Sequence, residues 1–292
     1  MPEVASATPS VPPRWRWNRR RFLKWTAGAA GLALAGGAYS LLEAGWFQIT
    51  RPAWTVPNLP GPFEGLAAAF LADLHHGPWT GLDYVRAAVE AANALEPDLI
   101  LLGGDYVHRG ARFISPCIRE LSALRAPLGV YGVLGNHDHW HGAQATRDAL
   151  KAAGIACLDN QGVWLERGGA RLRLGGVGDL WEDRQDLGAA LGDARESDAA
   201  LVLSHNPDFA ETVDDGRVGL VLSGHTHGGQ VWLPFLGAPV LPSRYGQKYR
   251  AGWVRAPATN VYVSRGLGTI SPPVRFGCRP ELALGRLTAG TA

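Results

Sequence analysis

Leu99-Ile100-Leu101-Leu102-Gly103-Gly104-Asp105 is a four-residue apolar run that stops at two glycines and a carboxylate. Leucines and an isoleucine bounded by glycine read as a buried β-strand. The glycines let the backbone turn sharply at its end. The same arrangement recurs along the chain. Leu66–Leu71 leads into Asp73-Leu74-His75, and Gly129–Leu134 into Gly135-Asn136-His137-Asp138. Ala200–Leu203 leads into Ser204-His205, and Gly219–Leu222 into Gly224-His225-Thr226-His227. Each apolar run ends in carboxylate, amide or imidazole side chains, the donors that a borderline divalent cation accepts together.

Helical patterns separate the first three runs. Leu82 to Leu95 has apolar residues at helical spacing, with Pro97 just beyond its end. Ile114–Leu124 and Ala143–Ala153 follow the same period. Strand–helix alternation predicts a mainly parallel sheet, with the polar residues on loops after the strand C-termini. Beyond residue 160 short strand patterns dominate: Val163–Glu166, Arg171–Leu174, Ala200–Leu203, Gly219–Leu222, Val231–Leu233, Val261–Val263 and Leu282–Leu287. Arg184–Leu191 is the best helix candidate there. The fold class is α/β, with a second sheet expected face to face on the first and helices outside.

The chain has 292 residues, 46% of them apolar, ample for one large core. Cys117, Cys157 and Cys278 are far apart and odd in number, which excludes a fully paired disulfide framework. The net charge of +2 is uneven. Residues 1–50 carry six basic residues (Arg14, Arg16, Arg19, Arg20, Arg21, Lys24) against Glu3 and Glu43, a balance of +4, which leaves −2 for the rest. The body is therefore not a basic nucleic-acid binder by charge, and no nucleic-acid partner is expected.

Arg19-Arg20-Arg21-Phe22-Leu23-Lys24 resembles the twin-arginine export motif at every specified position. An uncharged stretch rich in Ala and Gly, Trp25 to Leu42, follows it in the order of a signal peptide. Residues 1–45 are read as this address or an N-terminal anchor, and residues 46–292 as the working domain. Ala33-Leu34-Ala35 offers a cleavage site. The uncharged run falls short of the ~20 apolar residues that span a bilayer. A released protein and an anchored one both fit. The expected partners are the twin-arginine machinery and a membrane or cell-wall surface, and the expected place is the periplasm or cell envelope. Folding before export would let a metal site fill in the cytoplasm, a useful control for a site that selects poorly by affinity.

Each motif alone has an ordinary reading. An Asp after a strand is commonly a cap or turn residue, and a His-x-His pair is weak. The ordered set is more specific, and five of the nine histidines fall inside it. The order D-x-H, G-D, G-N-H-D, H, G-H-x-H resembles that of the calcineurin-like metallophosphoesterase superfamily over roughly residues 65–230. Tyr245-Gly246-Gln247 and Tyr262-Val263-Ser264-Arg265-Gly266-Leu267-Gly268 resemble its bacterial, twin-arginine-exported phosphodiesterase subgroup. The resemblance implies a four-layer α/β/β/α sandwich of two mixed sheets, with a dinuclear metal site at the strand C-terminal loops. It implies that Asp73, His75 and His227 hold one ion, that Asn136, His205 and His225 hold the other, and that Asp105 bridges them. It places His137 beside the ions without ligating them, with Asp138 orienting its imidazole. The cofactors implied are two divalent ions, Mn, Fe or Zn. Where purple acid phosphatases carry a ligand tyrosine, this chain has His108, which reads as a loop histidine or a substrate contact.

Two ions about 3.5–4 Å apart clamp the oxygens of a phosphate ester and acidify a water for in-line attack. His137 is the candidate proton donor to the leaving group, its alternative being a structural bond that holds the turn. The substrate class expected is a phosphate ester, foremost a phosphodiester of the cell envelope. A phosphomonoesterase or nucleotidase and a non-catalytic scaffold are the alternatives. Val231-Trp232-Leu233-Pro234-Phe235-Leu236 and Pro239-Val240-Leu241-Pro242 are apolar for loops. They read either as a Pro-interrupted core segment or as a lip for lipid. Arg244, Arg265 and Arg275 are candidate phosphate contacts or surface ion-pair partners.

Overall fold

The computed structural model describes residues 18–290 and divides into two units, Met1–Tyr39 and Ser40–Ala292. The described part of the first unit, from Arg19, is helical and belongs to α1 (Arg19–Ala44). No helix among the described residues is long and apolar enough to cross a membrane. The second unit takes in Ser40–Ala44, the last residues of α1. Glu43 there is buried, and its carboxylate accepts from the backbone N–H of Gly277 (3.1 Å) and Cys278 (2.7 Å). Those five residues of the expected address are thus built into the body.

The second unit continues with β1 (Gln48–Thr50), β2 (Ala53–Val56), β3 (Ala67–Leu71), α2 (Leu82–Ala94), β4 (Leu99–Leu102) and α3 (Ile114–Leu121). Next come β5 (Val130–Gly132), α4 (Asn136–Ala152), β6 (Ala156–Cys157), β7 (Gln161–Arg167), β8 (Ala170–Gly176) and α5 (Leu187–Leu191). The chain ends with β9 (Ala200–Leu203), β10 (Leu220–Ser223), β11 (Gly252–Arg255), β12 (Asn260–Val263) and β13 (Glu281–Ala289). One sheet runs β1-β13-β3-β4-β5-β6, with β2 also on β13. The other runs β11-β12-β10-β9-β8-β7. Both are mixed. β3 to β6 are mutually parallel, as are β8, β9, β10 and β12, while β13, β11 and β7 are antiparallel to their neighbours β3, β12 and β8.

Alternation along the strands divides the core. Ala68, Phe70, Leu99 and Leu101 pack with Leu201, Leu203, Leu220 and Leu222 between the sheets. Ala69, Leu71, Ile100 and Leu102 pack outward against Val85, Val89, Ile118 and Leu150 of α2, α3 and α4. On the far side Val202 and Val221 pack under Ala190, Leu191, Phe209 and Ala210. This is the expected α/β/β/α sandwich, with one thin outer layer: the five residues of α5 and a 3-10 turn, Pro207–Thr212.

Four elements differ from the sequence reading. Leu282–Leu287 does not join the second sheet. It lies in β13, inside the first sheet and one strand from its edge, antiparallel to β3 and parallel to β1. Val231–Leu233 makes only isolated bridges, to Phe276 and Gly237. Pro234 cannot extend a ladder, and Phe235 turns the chain back at φ +68°. The Arg184–Leu191 helix starts later, where Asp186 Oδ1 accepts from Ala189 N at 2.9 Å and caps α5. The Ala143–Ala153 helix starts earlier, at Asn136, and breaks at Gly142, where φ is +137°. The Gly-Asn-His-Asp motif therefore forms a first helical turn rather than a loop.

Candidate metal centre

All seven predicted ligands come together. Asp73 and His75 follow β3, Asp105 follows β4, and Asn136 opens α4 after β5. His205 follows β9, and His225 and His227 follow β10. Parallel strands in both sheets deliver them to one edge of the sandwich. The two sheets are stitched there by His225 N, which donates to Asp73 Oδ1 (2.9 Å) and Oδ2 (3.1 Å), and by the His205 ring, whose Nδ1 lies 2.7 Å from Gly103 O.

Five of the seven, Asp73, His75, Asp105, His225 and His227, have φ between +48° and +69°. The left-handed region costs a non-glycine residue about 1–2 kcal/mol. Such conformations persist where surrounding structure holds them, and they cluster at functional sites. Gly135 serves a different need. A Cβ there would lie 2.2 Å from Asp105 Oδ1, so only glycine lets the motif pass the carboxylate.

The donor atoms form two adjoining groups. His75 Nε2 lies 2.9 Å from His227 Nε2 and 3.4 Å from Asp105 Oδ2, and His227 Nε2 lies 3.6 Å from Asp73 Oδ1. In the other group His225 Nδ1 lies 3.0 Å from Asn136 Oδ1 and 3.2 Å from His205 Nε2. His205 Nε2 is 3.2 Å from Asp105 Oδ2, the same oxygen that faces His75. His205 Nδ1–H donates to Gly103 O, and although burial opposes it, Asp105 facing Nε2 holds the ring well above the ordinary imidazole range, so Nε2 carries a proton that a cation binding there would replace. Ring nitrogens packed this closely repel unless a proton or cation lies between them, so this donor set fits cations.

Burial sets the charge state. It drives His75 and His227 well below the ordinary imidazole range, and His225 to about 3 with His205 adding to the fall. These rings are held neutral, the form that binds metal. Burial also opposes ionisation of Asp105, but His205 and His75 facing it hold its carboxyl well below the usual carboxylate range. Burial raises Asp73 to about 7, against the pull of His205 and with Asp105 adding to the rise. Of the two carboxyls, the one between the groups is the more strongly ionised.

His137 lies beside this cluster, its ring 4.7 Å from that of His75 and its backbone N–H donating to Asp105 Oδ1 at 2.8 Å. Asp138 does not orient it. The Asp138 carboxylate accepts from the backbone N–H groups of Asp105 (2.8 Å), Tyr106 (2.9 Å) and Gly135 (3.0 Å). Asp138 sits in the first turn of α4, where its side chain turns back to these amides, so its role is to fix the Asp105 loop. The partner of the His137 ring is His108, with their Nδ1 atoms 3.1 Å apart. Arg109 Nε donates to His108 Nε2 at 3.2 Å. A guanidinium has donors only, so neutral His108 carries its proton on Nδ1 and directs it at His137 Nδ1. Neutral His137 then carries its proton on Nε2. Burial lowers His108 to about 4 and lowers His137 as well, in keeping with neutral rings.

Replacing Asp138 with alanine strands three buried N–H groups. At about 1–3 kcal/mol for each unsatisfied donor, we expect a stability loss of about 3 kcal/mol or more. Urea unfolding checks this, and a loss under about 1 kcal/mol contradicts the capping role.

Several residues around the centre were not picked out by the sequence reading. Trp140 packs on His137 (ring centroids 4.5 Å apart) and Trp181 stands edge-on to His225 (4.4 Å), both half-exposed. Trp79 donates to Ser271 Oγ (3.3 Å), and Arg109 Nη2 donates to the same oxygen (2.9 Å). Asp179, buried after β8, accepts from Trp181 N (2.9 Å) and Glu182 N (3.1 Å) and so shapes the Trp181 turn. Gly178-Asp179 repeats the Gly-Asp signature after an apolar run, so this signal was present. Arg275 is fully buried and is not a phosphate contact. Its guanidinium donates to the carbonyls of Gly268 (2.6 Å), Gly266 (3.2 Å), Cys278 (3.2 Å) and His227 (3.4 Å). Arg265 pairs with Glu281 at 3.1 Å.

The chain matches the family profile of the calcineurin-like phosphoesterases over residues 67–229. It belongs to this family and is a metallophosphoesterase, an enzyme that uses divalent metal ions. It is 32% identical to an uncharacterized metallophosphoesterase, YkuE, of Bacillus subtilis (strain 168) over 92% of this chain and 97% of that one. It is 34% identical to the phosphodiesterase YaeI of Escherichia coli (strain K12) over 91% of this chain and 98% of that one. Among solved structures, a 5'-nucleotidase precursor from Thermus thermophilus aligns over 70% of this chain and 49% of its own, with TM-score 0.44 and 16% identity.

Proposed function

We propose that this metallophosphoesterase is a phosphodiesterase of the cell envelope, exported by the twin-arginine route. The observation that carries the catalytic part is the double use of one oxygen: Asp105 Oδ2 faces His75 Nε2 at 3.4 Å and His205 Nε2 at 3.2 Å. In this reading Asp73, His75 and His227 would hold one divalent ion, Asn136, His205 and His225 would hold the other, and Asp105 would serve both. Bound ions supply positive charge to the phosphate oxygens and lower the pKa of water. The protein's own contribution is to keep three imidazoles neutral, one carboxylate ionised and the His137 Nε2–H directed by His108. That N–H can donate a hydrogen bond to the departing oxygen and stabilise the charge developing there.

Two observations favour a diester. The relative YaeI, named a phosphodiesterase, is matched over nearly its whole length. Beside His227 a cleft of about 360 Å³ offers room for a second ester substituent, which a monoester lacks. Export is supported by Arg19-Arg20-Arg21-Phe22-Leu23-Lys24 and the uncharged stretch behind it. The address segment, residues 1–45 in this reading, overlaps the body at Ser40–Ala44. Cleavage at Ala33-Leu34-Ala35 leaves Glu43 in place, and retention of the segment offers an attachment to the membrane.

The test compares bis(p-nitrophenyl) phosphate with p-nitrophenyl phosphate in the presence of Mn, Fe or Zn. We expect kcat/KM for the diester to exceed that for the monoester by about tenfold or more, a difference of about 1.4 kcal/mol in transition-state binding. A preference for the monoester assigns the chain to the phosphomonoesterases instead, and no metal-dependent turnover of either marks a scaffold.

A further inference from the structure

The cleft beside His227 lies between the loops 229–242 and 270–274, and its apolar walls are Val231, Pro239, Val240, Pro242, Ile270 and Val274. Among the described residues no Asp, Glu, Lys or Arg lines it. The polar side chains in its wall are already engaged within the protein. Gln230 Nε2 donates to Pro272 O (3.1 Å), and Gln230 Oε1 accepts from Ile270 N (2.8 Å). Thr226 Oγ1 donates to Arg250 O (3.0 Å), and Ser271 Oγ accepts from Arg109 and Trp79. A polar ligand would find few groups to bond, whereas a hydrocarbon loses nothing by entering.

The cleft adjoins the metal centre, because His227 lines the one and belongs to the donor cluster of the other. The loop 229–242 also carries exposed apolar side chains. Phe235 is fully exposed, Leu236 is 78% exposed and Val240 76%. Phe235 is held out at φ +68°, in a conformation a bulky residue adopts only when the structure requires it. Half-exposed Trp79, Trp140 and Trp181 stand around the centre itself. Exposed apolar side chains gathered on the loops beside a cleft are a feature of binding faces.

We propose that the cleft receives the hydrocarbon chain of the substrate, so that the enzyme acts on amphiphilic phosphodiesters, with the phosphate at the metal centre and the chain between the two loops. This rests on the phosphodiesterase reading and names its substrate class.

The test uses p-nitrophenyl phosphodiesters whose second ester group is methyl, butyl or octyl, each below its aggregation concentration. Burying a methylene is worth about a fourfold gain. With several buried, we expect kcat/KM to rise by about 30-fold or more from methyl to octyl. Val240 is exposed, so Val240→Asp and Val240→Trp should fold. Both should flatten the series by placing charge or bulk in the cleft, while metal content and the urea unfolding midpoint stay at the wild-type level. Tryptophan fluorescence titrated with methyl and octyl phosphate reads the same preference as binding, without turnover. A flat wild-type series with normal bis(p-nitrophenyl) phosphate turnover overturns the inference and spares the diesterase reading. A rising series that both variants keep places the chain elsewhere and also overturns it. If the diester is not turned over but octyl phosphate binds tightly in a Val240-dependent way, the diesterase reading fails and the cleft stands. If the cleft instead holds a protein segment, neither assay depends on chain length.

Discussion

Alanine at Asp105 should lower kcat/KM by about a thousandfold or more if, as proposed, the residue is the one side chain shared by two ion sites. Asp105 Oδ2 is the closest carboxylate oxygen to both His75 Nε2 and His205 Nε2, and Asp105 Oδ1 also accepts from the backbone of His137. Its removal takes away the negative charge between the two groups of donors and loosens the turn that carries Asn136. Elemental analysis should find metal content falling in step with turnover. An Asp105→Ala protein that still binds two ions contradicts the bridging role. Stability need not fall, because the buried carboxylate also carries a desolvation cost that the smaller side chain removes.

His137→Ala should behave differently. The ring lies against His75 but pairs through Nδ1 with His108, which leaves Nε2 as a donor. We expect metal content to stay at the wild-type level while kcat drops by about 10²- to 10⁴-fold on diesters with alkoxide leaving groups. On p-nitrophenyl esters, whose leaving group needs little protonation, the loss should be about tenfold or less. Equal losses on both kinds of ester assign His137 a holding role in the turn. Lost metal makes it a ligand.

The parts of the fold set by pattern were legible in the sequence. Leu99–Leu102 and Ala200–Leu203 are continuous apolar runs ending in glycine or serine and a ligand, and both are strands with those bounds. Pairing between distant segments was not legible. Leu282–Leu287 reads as a strand, but nothing local says that it inserts between β1 and β3. Strands β1, β2, β6 and β11 have two to four residues each, too short for a period to register. The start of α4 was missed because Asn136 to His141 has almost no apolar residue. Its helical turn is set by Asp138 at the N-terminus, a contact that pattern does not carry.

The site divides the same way. Seven ligand types at strand ends could be read as a set, since each is a side chain with a known donor atom. Their positive φ values could not, because a left-handed Asp or His leaves no trace in composition. The exchange of partners between His108 and Asp138 was hidden for a related reason. Asp138 is next to His137 in sequence, but helical geometry turns adjacent side chains away from each other, and the ring meets a residue 29 positions earlier instead. Trp140 and Trp181 had no motif to mark them.

In the proposed centre one carboxylate, Asp105, joins two metal sites. Anomalous diffraction from crystals of natively metallated, catalytically active protein, with elemental analysis of the same sample, would show it. Two ions per chain are expected. One should lie among Asp73, His75 and His227 and the other among Asn136, His205 and His225, with Asp105 ligating both. A single ion in fully active protein, or two ions of which Asp105 touches only one, contradicts it.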